Sequence, residues 1–148
     1  MFPTPLEAEN YLHQNIPLSK YMKVSVKQLD KEGVSLQAPL ETNINHRSTA
    51  FGGSISAIAI LSGWTLVHAN LRKISLSPRI VIQRNCIEYL QPIDDEFYAF
   101  CPFPSAQKWQ KFINMLQKKS KSRIELQADI LANGHKVGSF TGVYVALV

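Results

Sequence analysis

The chain has 148 residues, 45% hydrophobic and 18% charged, which fits one soluble domain, residues 1–148, with a full core. Two cysteines, Cys86 and Cys101, form neither a disulfide framework nor a metal-ligand spacing, so both read as reduced core thiols and no metal is expected. The net charge of +5 suits an anionic partner, yet the basic residues gathered between Lys108 and Arg123 come without zinc spacing, aromatic strand or helix-turn-helix pattern, so nucleic acid is not expected.

Thr4-Pro5-Leu6-Glu7 predicts a helix start, with Thr as cap, Pro at the first position and Glu three residues after the cap. That helix should run to about Asn15, because Pro17 turns Ile16 away from helix. The N-terminal acids and prolines stand where a secretory signal needs a basic start and an apolar run, so a cytoplasmic location is expected. Met22, Val24 and Val26 alternate with polar residues, as do Val34, Leu36 and Ala38 after a turn at Asp30–Gly33, which predicts a hairpin.

Asn43 to Arg72 organises the chain. A polar loop gives way at Phe51-Gly52-Gly53 to a run with no Asp, Glu, Lys or Arg until Arg72. Ile55, Ile58, Leu61, Trp64, Leu66 and Val67 would coat most of a helix, so other structure should wrap it on all sides. Ala50–Ala69 is also long enough to span a membrane, but its hydroxyl residues and glycines, and the strands around it, favour a buried soluble helix. The glycines at its mouth let backbone approach a ligand closely, and its first turn offers unpaired N–H groups to a carbonyl oxygen or an anion.

Beyond Pro78, Arg79–Leu90 and Glu96–Cys101 read as strands joined by a turn at Gln91–Asp95. A second helix follows Pro104, with Trp109, Phe112, Ile113 and Leu116 on one face and lysines turned away. These lysines read first as a solvated face and second as a seat for the phosphates of a nucleotide-bearing ligand. Arg123–Leu131 and His135–Leu147 complete a hairpin about Asn133-Gly134. The order predicts an α+β fold: one antiparallel sheet wrapped around a long central helix, with an extra amphipathic helix on the surface.

The loop Asn45-x-x-Ser48-x-x-Phe51-Gly52-Gly53 and the segment Tyr89-Leu90-Gln91-Pro92, in this order of elements, resemble the hotdog-fold thioesterases. The phenylacetyl-CoA-thioesterase-like branch is the most similar, its loop reading Asn-x-x-Gly-x-x-His-Gly-Gly. More narrowly, the Thr49–Ser54 form and the inserted basic helix resemble the thioesterase-like domain sometimes fused behind a bacterial acetyltransferase domain. The resemblance implies a hotdog fold, a homodimer or higher homo-oligomer with sites at the interface, and hydrolysis of acyl-CoA or acyl carrier protein in fatty acid metabolism. Coenzyme A or phosphopantetheine would arrive as part of the substrate, with no separate cofactor.

Carried over residue by residue, the resemblance seats the thioester carbonyl on Gly52 and Gly53, with Gly53 N–H as the polarising donor. Phe51, Ser54 and Trp64 would contact the substrate. Asn45 would orient water or the carbonyl, or else tie the loop to its own backbone. The chain departs from the family at two positions: Phe51 replaces the family's His, and Ile60 stands where the matching branch carries its acid. No acid occurs between Glu41 and Glu88, so either of these would have to serve as general base. His46 reads as a solvated loop residue. Without an acid, the alternative is a domain that binds acyl thioesters and does not hydrolyse them; a dehydratase would want a paired His and acid that are not evident.

Overall fold

The computed structural model describes residues 3–148, so the first two residues of the N-terminal stretch lie outside it. The elements run α1 (Pro5–Asn15), α2 (Pro17–Tyr21), β1 (Ser25–Asp30), β2 (Gly33–Ala38), α3 (Gly52–Lys73), β3 (Arg79–Tyr89), β4 (Phe97–Pro102), α4 (Ala106–Lys119), β5 (Lys121–Ala132) and β6 (His135–Leu147). The α1 cap forms as a reciprocal pair: Glu7 N–H donates to Thr4 Oγ1 and Thr4 N–H to Glu7 Oε2. Pro17 does not simply end the helical stretch; it opens the short α2, since proline is well suited to a first helical position. The first strand consequently begins later than the alternation from Met22 predicts, at Ser25.

Six antiparallel strands form one sheet in the order β1-β2-β4-β5-β6-β3, and α3 packs against its concave face. The sheet has a narrow waist. β4 pairs with β5 only over Tyr98–Phe100 against Leu131–Asp129, whereas β5 and β6 pair along nearly their whole length. The first half of β5 therefore has no strand on its β4 side, and α4, which contacts β5, shields that open edge. Phe112, Ile113 and Leu116 of α4 enter the same core as α3.

α3 is long and apolar enough to cross a membrane, yet it is the core helix here: Ile58, Ala59, Leu66, Val67 and Leu71 are fully enclosed. Close packing over its middle depends on Gly63. A Cβ there would overlap the Tyr144 ring and hydroxyl, and that hydroxyl donates to Ile60 O at 2.7 Å. The wrapping is not complete, however. Gly53, Ala57, Ile60, Trp64 and His68 recur at helical spacing as a stripe that is exposed or half-buried, so one side of α3 is uncovered in the single chain. Cys101 is a core thiol, pushed up to about 12 by burial, but Cys86 is exposed on the edge strand β3.

Candidate active site at the head of the central helix

The loop before α3 is held from below by Asn43, a residue that sequence reasoning passed over. Its side-chain amide nitrogen is buried and donates to Met22 O at 2.9 Å and Pro39 O at 2.8 Å, while its backbone carbonyl accepts from Phe51 N–H at 2.7 Å. Asn45 is spent on the same loop. Its Oδ1 accepts from the backbone N–H of Arg47 (2.8 Å) and Thr49 (3.1 Å), and its Nδ2 donates to Thr49 Oγ1 at 2.8 Å. A short bridge between Ile44 and Ala50 closes the turn, and Ala50 N–H reaches across to Ile93 O at 2.8 Å. The loop is thereby pinned both to the β1–β2 hairpin and to the turn after β3.

This framing fixes how α3 begins. Phe51 caps it in extended conformation without a side-chain hydrogen bond, and its carbonyl accepts from Ser54 and Ile55 N–H. Among the described residues, the N–H groups of Gly52 and Gly53 find no acceptor. They stand at a cleft of about 500 Å³ walled by Tyr89, Leu90, Pro92 and Ile93. The Phe51 ring, itself largely exposed, lies so close over Gly53 that a Cβ there would collide with it. Tyr89 completes the wall by donating its hydroxyl to Gly52 O at 2.9 Å. Sequence reading saw Tyr89 only as part of a motif; a tyrosine ending an exposed strand beside a Gly-Gly turn was the available signal.

The other predicted residues fall in different places. Ser54 is half-buried in the first turn of α3. Trp64 shares the open side of α3 with Gly53 but lies eleven residues further on, about 16 Å along the axis. There it donates Nε1–H to Ile80 O at 3.2 Å and stacks on His68, which stacks in turn on Tyr11. A second cavity of about 360 Å³ opens between α1 and α3 at this stack. Burial, aided by the Arg72 charge, brings the His68 imidazole down to about 4, so it is neutral near pH 7. Phe100 alternates with the enclosed Ala99 and Cys101 and so belongs to the convex face, away from any acyl slot.

No carboxylate hydrogen-bonds Asn45 among the described residues. Glu41 is exposed in the loop, and Glu88, one residue before Tyr89, projects from the opposite face of β3. Ile60 offers only its carbonyl, which Tyr144 occupies. The lysines of α4 do not face this mouth. Lys121 pairs across Leu147 with Arg79, whereas Tyr89 pairs across Gly138 with Ile130, so basic and glycine ends are some nine residues apart along the sheet, roughly 30 Å.

The family model described as "Putative thioesterase (yiiD_Cterm)" matches residues 6–148. A protein of unknown function from Chlorobaculum tepidum superimposes with a TM-score of 0.92 at 26% identity, covering 97% of this chain and 93% of that one. A structure from Shewanella oneidensis, described as a putative thioesterase, does so at 0.87 and 26% identity, covering 97% of both chains. One from Pseudomonas aeruginosa, described as a probable thioesterase, reaches 0.82 at 16% identity over 99% of this chain and 97% of that one. The hotdog fold expected from the order of elements is the fold observed.

Proposed function

Because the chain belongs to the family described as "Putative thioesterase (yiiD_Cterm)", we propose that it hydrolyses acyl thioesters carried on coenzyme A or on an acyl carrier protein. The observation that carries the reading is the pair of unpaired N–H groups at Gly52 and Gly53, facing a cleft that one wall of apolar residues keeps partly dry. A thioester carbonyl seated there gains its strongest hydrogen bonds as water adds and charge develops on oxygen. One such donor typically stabilises the transition state by roughly 3 kcal/mol. The acyl chain then lies along the open side of α3, over Ala57 and Ile60 towards Trp64.

The base is the part that a single chain does not assemble, and a second copy is the natural source. β3 is an eleven-residue edge strand with one side unpaired. The other edge is blunted: α1 packs on β1, Glu9 Oε1 accepts from Val26 N–H at 3.0 Å, and the register shifts between Val26 and Gln28. Two copies pairing through β3 about a twofold axis would cover the exposed Tyr89 and Leu90 and complete the mouth. Glu41 of the second copy then serves as general base, since Glu88 projects from the far face of the sheet in either copy, and the protein acts as a cytoplasmic homodimer.

The absence of an acid at Ile60 and the full engagement of Asn45 favour a second reading, in which the mouth binds acyl thioesters without hydrolysing them. Octanoyl-CoA and octanoyl carrier protein separate the two. Hydrolysis abolished by Glu41→Gln but not by Glu88→Gln, with binding retained, supports the first and names the base. Saturable binding with no turnover by the unaltered protein supports the second. Neither binding nor turnover of any thioester overturns both.

A further inference from the structure

The cations of α4 are sorted to one flank. Lys111 and Lys118 are seven residues apart, Lys108 and Lys119 eleven, and Met115 lies between them at helical spacing; the far side of the helix carries Gln110 and Gln117. The basic flank turns towards the convex face of the sheet. There Lys108, Lys111, Met115 and Arg123 line a depression of about 300 Å³. It runs on, through Met115 and Arg123, into one of about 680 Å³ over Val81, Val145 and Leu147. The floor of this continuous trough is apolar: Val81 and Met115 are 43% and 47% exposed with nothing laid over them. Its walls hold Lys108, Lys111, Lys121 and Arg123, and Lys118 and Lys119 follow on the last turn of α4. None of these six is in an ion pair among the described residues, and Glu125 is the one carboxylate lining it.

We propose that this trough is a docking site for an acidic amphipathic helix of a partner protein. Its chemistry selects that occupant over other polyanions. A flat lipid surface would touch the rim lysines but not a floor recessed between a helix and a sheet. A nucleic acid would use the lysines but leaves Val81, Met115 and Leu147 unsatisfied, and the aromatic ring among the lining residues, Phe112, is only 3% exposed and offers no face on which a base can stack. A helix with an apolar stripe and glutamates beside it satisfies both floor and walls, and α4 offers a parallel guide about 16 Å long from Lys108 to Lys119. The trough is on the convex face, its ends roughly 16 Å (Glu125) and roughly 30 Å (Lys121) along the sheet from the row of Tyr89 at the Gly52 mouth, which opens on the other face. The partner therefore tethers or localises the protein and does not plug its cleft, and the inference does not rest on the hydrolytic reading.

The test uses the full chain and a fluorescein-labelled helical peptide of Glu and Leu, with Leu at i, i+4, i+7 and i+11. A scrambled peptide of identical composition controls for charge alone. Binding should be tighter for the patterned peptide and should weaken about tenfold or more in Lys111→Glu/Lys119→Glu, since steering and contact both reverse sign. Met115→Asp should weaken it comparably, while Gln110→Glu/Gln117→Glu, on the other flank, should leave it within about twofold. All these positions are exposed, and an unchanged thermal midpoint confirms that each variant folds. Equal binding of the scrambled peptide overturns the proposal, as does indifference to the lysine reversal. So does tighter, competing binding of phosphatidylglycerol vesicles or polyuridylate. Octanoyl-CoA turnover, measured beside it, should be the same in the lysine variant and the unaltered chain.

Discussion

Tyr89 donates its hydroxyl to Gly52 O, and that oxygen shares one peptide plane with the N–H of Gly53. A hydrogen bond on the oxygen polarises the amide and fixes the plane, so Tyr89 acts as a positioning residue for the donor at the mouth. Tyr89→Phe should lower kcat for octanoyl-CoA about tenfold with KM nearly unchanged, because the bond matters most when charge develops on the substrate oxygen. A matching rise in KM with kcat intact would instead mark the ring as a binding surface. Asn45 has a different weight. Its amide carries several hydrogen bonds within the loop, so Asn45→Ala should lose about 1–3 kcal/mol of stability, read as a fall in thermal midpoint. At His68 the sign follows from a folded pKa of about 4 against 6.5 for the free imidazole. The unfolded chain takes up the proton first, so stability should decline as pH falls from about 6.5 towards 4. His68→Gln should flatten that part of the thermal profile; an unchanged slope would mean that the ring protonates freely in the fold.

Among the elements, α3 is the one that sequence and structure describe most alike. Its run without charge and its Gly-Gly start are strong local signals, as are the alternation of β5 and the Asn133-Gly134 turn, where both residues have positive φ. Ile58→Asp, placing a charge at a fully enclosed position, should abolish soluble expression. Gly63→Ala should cost roughly 2–3 kcal/mol through collision with Tyr144, and Tyr144→Leu should restore part of it. A Gly63→Ala protein as stable as the parent would contradict that contact. What the sequence could not convey was three-dimensional pairing. Local pattern says that Trp64 is apolar and on α3, but only packing puts it against Tyr11 and His68 and away from the mouth. Cys86 likewise reads as a core residue until the strand order makes β3 an edge. The site was legible as a backbone feature at Gly52 and Gly53; which acid serves it was not, because reach across a sheet or between copies leaves no trace in spacing.

For the whole molecule, the unpaired side of β3 sets the expectation of a dimer. Cys86 lies within that strand and is exposed, whereas the Cys101 thiol is buried, so one thiol should react readily with maleimide in dilute protein. Labelling should slow as concentration rises and β3 edges pair, with sedimentation reporting the dimer over the same range. A stable monomer at micromolar concentration, with constant labelling rate, would remove the interface on which the second copy's contribution rests.

The waist between β4 and β5 has a consequence for how the molecule breathes. Three residue pairs join the β1-β2-β4 half of the sheet to the β5-β6-β3 half, while each half is laced internally over much longer ladders. Amide protons should therefore exchange with solvent deuterium in two cooperative groups, each half opening on its own more often than the whole chain unfolds. The amides around Tyr98–Phe100 should be among the first ladder protons to go, and α4, wedged beside them, should exchange with the β5 half. The head of α3 reaches the β1-β2 side through Asn43 and the β3 side through Ile93. Relative motion of the two halves would then be felt at the Gly52 mouth, and slow exchange throughout the chain as a single unit would show instead that the waist is rigid.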